Sequence, residues 1–189
     1  SPVFAGRPEV FIGSHPMAGS EKAGLEAGRA DLYDAATVAV TPLEDQRHHP
    51  ALQTVRRLWE CVGGRVVVLD PSAHDAIVAR TSHLTQLVAS TLALTVGREA
   101  DPLVARFCGP GFRDTTRIAA SSPEMWHDII VSNREKIGAE LKSFRLQLER
   151  LSQALDAGDY AAVRAFLEVS RESRANLMRQ AGKAADEQG

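Results

Sequence analysis

Hydrophobic positions along the chain follow two regimes. Short apolar runs come first, at Glu9–Ile12, Thr37–Thr41 (T-V-A-V-T) and Arg65–Leu69 (R-V-V-V-L). The last is β-branched and continuous, the pattern of a strand covered on both faces. Between the second and third runs, Leu52, Val55, Leu58 and Trp59 recur at helical spacing. Thr41 as cap, Pro42 in the first turn and Glu44 as the capping-box acid predict where this helix starts. A kink is expected at His49-Pro50, and Gly63-Gly64 ends the helix. Strand, helix, strand in this order predicts a crossover unit of a parallel sheet.

From Asp70-Pro71 onward the pattern is helical only. Asp70 is placed to cap, and Pro71 to open, a helix running to about Val96. Ser122-Pro123 repeats the arrangement before Ile130, Ile137, Leu141, Phe144, Leu148, Leu151 and Leu155, which predict one long helix. A turn at Asp156-Ala157-Gly158-Asp159 leads to a last amphipathic helix with Tyr160, Val163, Phe166, Leu167 and Leu177. Residues Gly182 to Gly189 are polar and are expected to fray. Two long antiparallel helices with such complete apolar stripes bury more than each other, which predicts an obligate helical dimer.

Composition narrows the function classes. With 22 Lys and Arg against 24 Asp and Glu, and no basic run interleaved with aromatics, a nucleic-acid partner has no electrostatic support. The apolar runs are too short to span a membrane, and Ser1-Pro2-Val3-Phe4 lacks the charged and apolar regions of a secretory signal. Cys61 and Cys108 make no disulfide framework and have no metal-ligand neighbours at useful spacing, so no metal is expected and a reducing, cytoplasmic setting is the default.

Candidate chemistry lies in three segments. Gly13 to Gly24 reads G-S-H-P-M-A-G-S-E-K-A-G; His74-Asp75 is followed by Ser82-His83-Leu84; Gly109 to Trp126 reads G-P-G-F-R-D-T-T-R-I-A-A-S-S-P-E-M-W. In this order they resemble the H-P-M-A-G-x-E, H-D…S-H-L-P-H and G-F-x-D-x-T-R-I-A-x-S-x-P-x-M-W blocks of the prephenate and arogenate dehydrogenases of tyrosine biosynthesis. The resemblance runs from about Val10 into the long helical tail. It implies an oxidative decarboxylation with hydride transfer to NAD or NADP, by a homodimer for which tyrosine is a possible feedback ligand. The implied fold is an α/β remnant over residues 1–70, the C-terminal part of a Rossmann-like parallel sheet. A helical substrate-binding and dimerisation domain over residues 71–189 follows.

The resemblance also assigns residues. His15 matches the base that takes the ring hydroxyl proton, a task suited to an imidazole neutral at working pH. Arg117 matches the arginine that grips the side-chain carboxylate, where a guanidinium fork donates two parallel hydrogen bonds. Glu21 matches an acid that gates the pocket by an ion pair, or is simply solvated. Trp126 matches a pocket tryptophan, with burial in the dimer core as the alternative; Asp114 and Ser20 fit turn and cap roles better. On a helix of about 3.6 residues per turn, His74, Ser82 and Gln86 share about a third of the circumference, with His83 turned away. The sequence departs from the family here: Thr85 and Gln86 stand where S-H-L-P-H has proline and its second histidine. Gln86 can donate a hydrogen bond but cannot become cationic, which bears on substrate preference and tyrosine feedback. The family's G-S-x-K serine has no counterpart, because Ser1 lacks the following lysine.

No G-x-G-x-x-G follows a strand, and no acidic residue is placed to hold a ribose, so cofactor-binding residues are not identifiable. The chain therefore reads as lacking most of the nucleotide-binding domain and as inactive by itself. The competing readings are an arogenate dehydrogenase and a non-catalytic helical dimer that binds tyrosine.

Overall fold

The computed structural model describes residues 11–18, 28–99 and 101–186, with side chains described as far as residue 183. Its sheet has three strands, β1 (Gly13–Pro16), β2 (Thr37–Thr41) and β3 (Arg65–Val68), in the order β1-β2-β3. β2 is central, and Val38 and Val40 are fully buried in it. It pairs in parallel with β3, from Thr37 against Arg65 to Val40 against Val68. The crossover between them is α1 (Pro50–Cys61). Leu52 joins Ile12, Val38 and Val40 in the core, and Ala51, Val55, Trp59 and Val66 pack around them. Each such aliphatic side chain stabilises the fold by roughly 1.5–3 kcal/mol.

Three expectations for this part need correction. The first run does not form a strand where predicted: Phe11 and Ile12 precede β1, and Glu9 and Val10 lie outside the described residues. Ile12 sinks into the core instead, so its hydrophobicity reports burial and not pairing. The strand that does form is antiparallel to β2, with Gly13 opposite Thr41 and Pro16 opposite Val38, which makes the sheet mixed. Glycine suits that first position, since a Cβ there would lie 2.6 Å from Thr41 Oγ1. Second, Thr41 ends β2 and caps nothing. A short 3-10 turn, Glu44–Gln46, follows Leu43, whose N–H donates to Gln46 Oε1 at 3.1 Å. α1 begins afresh at Pro50, with His49 Nδ1 accepting from the Ala51 N–H at 3.1 Å. Proline holds the preceding residue extended, so it starts a helix here and does not kink one. Third, Val67 and Val68 are 39% and 42% exposed, so β2, not β3, is the strand covered on both faces.

Gly63 closes α1 at φ +85°, and its carbonyl accepts from the Ala35 N–H at 2.8 Å. A side chain there would be strained, because a Cβ would crowd Asp34 Oδ1 and lie 3.0 Å from the Asp34 Cα.

The helical part opens with α2 (Pro71–Val78), a π turn (Ala79–His83) and α3 (Leu84–Gly97) in one run. Asp70 caps it as expected, Oδ1 accepting from the Ala73 N–H at 2.9 Å. α4 (Pro102–Phe107) and α5 (Pro110–Thr116) lead to a 3-10 turn, Arg117–Ala120, which packs with α5 against α3. α6 (Pro123–Ser132) is capped by Ser122, again as expected. The helix predicted to continue to Leu155 breaks at Asn133, and α7 (Arg134–Asp156) restarts after it. Gly158, at φ +65°, turns the chain into α8 (Tyr160–Asp186), which runs through Gly182 where fraying was expected.

Contacts group residues 1–138 into one compact unit and 139–189 into another. In the second, the apolar stripes stay uncovered within the single chain: Leu148, Leu155, Leu167 and Leu177 are each at least half exposed. No helix among the described residues is long and apolar enough to cross a membrane.

Candidate functional site

β1 and α2 bring two histidines together across the sheet-to-helix junction. His15, on β1, has Nδ1 2.9 Å from Nε2 of His74 on α2, with the rings inclined at 66°. His74 Nδ1 lies 2.9 Å from Asp75 Oδ1. A carboxylate only accepts, so His74 carries its proton on Nδ1, and in the neutral ring Nε2 is an acceptor. His15 must then donate from Nδ1, which leaves its Nε2 lone pair free. The chain Asp75–His74–His15 thus selects the tautomer of His15 that a proton acceptor needs. His15 is exposed in the single chain, but partial loss of water around its ring lowers its pKa and the neighbouring His74 lowers it further, so the free base dominates at neutral pH.

His83 joins this cluster, contrary to the helical-wheel expectation. It is only 8% exposed, and its ring meets Trp126 edge to face at 5.9 Å. Ser82, predicted to face inward, is exposed. The reason is the π turn over Ala79–His83, whose wider i to i+5 winding rotates the residues beyond it relative to a uniform helix. The pKa of His83 is lowered, first by burial and then by His15 and His74, with Asp75 opposing. Among the described residues, no group of His, Cys, Asp and Glu is arranged to hold a metal ion.

Gln86 is buried. Its Nε2 lies 3.5 Å from Ser90 Oγ, and its Oε1 has no hydrogen-bond partner. The Trp126 indole N–H is likewise buried without a partner. Such groups each cost about 1–3 kcal/mol when left unsatisfied, which a bound polar molecule would relieve. Arg117 opens the 3-10 turn that packs on α3, with its side chain exposed. Asp114 is exposed on α5, while Glu21, Ser20 and Ser1 lie outside the described residues. A groove of about 620 Å³ further along α3, lined by Ser90, Ala93, Leu94, Gly97, Arg98 and Ala119, contains none of the predicted site residues.

Sequence reasoning missed the part played by Asn133. Its Nδ2 donates to the Asp75 carbonyl at 2.8 Å and stands 3.4 Å from His83 Nδ1. The available signal was an asparagine, a poor helix former, in the middle of the predicted long helix.

The described residues do not provide a dinucleotide phosphate cradle. β2 runs through Pro42 and Leu43 into a 3-10 turn carrying Glu44 and Asp45, whose carboxylates would repel a pyrophosphate.

Two family models match the chain in succession. Residues 5–68 match the nucleotide-binding domain of prephenate dehydrogenase, and residues 70–169 match its dimerization domain. A prephenate dehydrogenase of Bacillus subtilis is 31% identical over 175 residues, covering 91% of this chain and 47% of the relative. Among solved structures, prephenate dehydrogenase from A. aeolicus, in complex with hydroxyphenyl propionate and NAD+, superposes with a TM-score of 0.81. It is 34% identical, over 88% of this chain and 59% of that one. Synechocystis arogenate dehydrogenase is similar at a TM-score of 0.75 and 26% identity, over 88% of this chain and 61% of that one. The chain spans about half the length of the curated relatives it matches. The His15 segment falls within the first matched domain, and His74, His83, Arg117 and Trp126 within the second, so this chain belongs to the prephenate dehydrogenase family.

Proposed function

We propose that this chain supplies the substrate side of a prephenate dehydrogenase that converts prephenate to 4-hydroxyphenylpyruvate and CO2 in tyrosine biosynthesis. The observation that carries this reading is the contact chain from His15 Nδ1 through His74 to Asp75, which leaves His15 Nε2 to take a proton. His15 Nε2 takes the proton of the 4-hydroxyl as the carbinol carbon is oxidised. The ring carboxylate then leaves as CO2, its bonding pair completes the aromatic ring, and His15 returns the proton to the phenolate oxygen. NAD or NADP would accept the hydride when bound.

The remaining roles belong to binding. Arg117 holds the side-chain carboxylate by a bidentate fork. His74 and Gln86 line the pocket, and the orphaned Trp126 N–H donates to a substrate carboxylate. The working protein is a cytoplasmic homodimer, divided into the α/β part of residues 1–70 and the helical part of residues 71–189. The family matches over 5–68 and 70–169 support that division.

Two measurements test this. Calorimetry with hydroxyphenyl propionate should show binding that Arg117→Ala weakens at least about tenfold, in line with the worth of a charge-assisted hydrogen bond. Absence of binding, or binding indifferent to Arg117, overturns the substrate-side reading. Prephenate and arogenate are then each assayed with NAD and with NADP; faster turnover of arogenate makes the protein an arogenate dehydrogenase. The alternative is a non-catalytic dimer that binds tyrosine. Tyrosine binding without NAD or NADP binding would establish it.

A further inference from the structure

We propose that Asn133 is a positioning residue that locks His83 in its uncharged, Nε2-protonated form beside the base, through the single NH2 group it shares between the Asp75 carbonyl and His83 Nδ1. The orientation of the carboxamide follows from chemistry. A backbone carbonyl only accepts, so the Asn133 atom 2.8 Å from Asp75 O is the NH2 nitrogen. That nitrogen is also the one 3.4 Å from His83 Nδ1. An NH2 group only donates, so Nδ1 must be bare and the neutral ring carries its proton on Nε2. A doubly protonated His83 would set N–H against N–H and lose the contact.

The fold makes room for this device in two places. The break between α6 and α7 frees Asn133 from helical packing, and its backbone, at φ −121°, turns the side chain toward α2 and the π turn. The π turn in turn brings His83 inward, onto Trp126. The titratable groups facing His83 are His15 from β1 and His74 and Asp75 from α2. Asp75 favours an imidazolium at His83, and Asn133 opposes it.

The consequence rests on the function proposed above. His15 must become cationic when it takes the hydroxyl proton, and a second cation at His83 would resist that step. Asn133 therefore keeps the base strong without touching the substrate.

The test needs no substrate, so its failure is separable from failure of the functional reading. Nitrogen NMR of the histidine-labelled chain reports the proton position and titration of each ring. In the wild type, His83 should carry its neutral-state proton on Nε2 and titrate below the ordinary 6.5. Asn133→Asp, nearly isosteric, should move that proton to Nδ1 and raise the titration by about one unit or more, as an adjacent carboxylate does. His15 should shift down in the same variant, since a cation has appeared beside it. Asn133→Ala should raise the His83 titration toward 6.5 without the reciprocal tautomer change. A wild-type His83 protonated on Nδ1 overturns the proposal. So does a His83 titration unchanged in Asn133→Asp while circular dichroism shows the helices intact.

Discussion

A neutral imidazole works as a base only through the nitrogen it leaves bare, and here that choice is made two residues away, by the Asp75 carboxylate acting through His74. In the complete enzyme, His15→Asn should accordingly lower kcat by about a hundredfold or more, the usual scale of a general base, with KM little changed; equal losses in both would show that His15 only positions substrate. Its lowered pKa fixes the pH response. The base is active unprotonated, so kcat should hold as pH falls past 6.5 and drop only below it, as a pH-rate profile would show. Stability follows the same sign. His15 and His83 bind fewer protons folded than unfolded, so stability rises with pH. It is lost as pH falls from the unfolded value of 6.5 through the lowered folded values, and the thermal midpoint should decline over that window. His83→Gln should flatten the decline. At this scale the two segments that bring His15 and His74 together were legible through the family resemblance. The inward turn of His83 was not, because a wheel of uniform pitch has no place for a π turn.

Elements were legible where their ends carry strong local chemistry. Asp70-Pro71, Ser122-Pro123 and Gly63-Gly64 each mark a boundary by a cap, a missing N–H or a positive φ, and each boundary stands where the residues put it. Gly63→Ala should destabilise by about 1–2 kcal/mol from the left-handed backbone alone, and by more from the approach to Asp34. The denaturant midpoint measures it. Pairing direction was not legible. The hydrophobic run before Gly13 reads the same whether its residues enter a strand or the core, and nothing local sets β1 antiparallel. Asn133 shows the same limit in a helix: the apolar spacing from Ile130 to Leu155 continues across a real break.

For the molecule as a whole, the leucines of α7 and α8 set the expectation. Leu148, Leu155, Leu167 and Leu177 are each at least half exposed in the single chain, and covering what remains of each is worth roughly 1 kcal/mol. Light scattering should find a dimer, and Leu148→Glu with Leu155→Glu should shift it toward monomer; a wild-type monomer would refute the assembly. The base itself sits on an edge strand of four residues, while the strand it leans on is buried at the centre. A sub-global opening that peels β1 from β2 would disconnect His15 from His74 and leave the crossover unit standing. Amide exchange at β1 should then run ahead of that at Val38 and Val40, so catalytic competence would report a local equilibrium and be lost before the fold is.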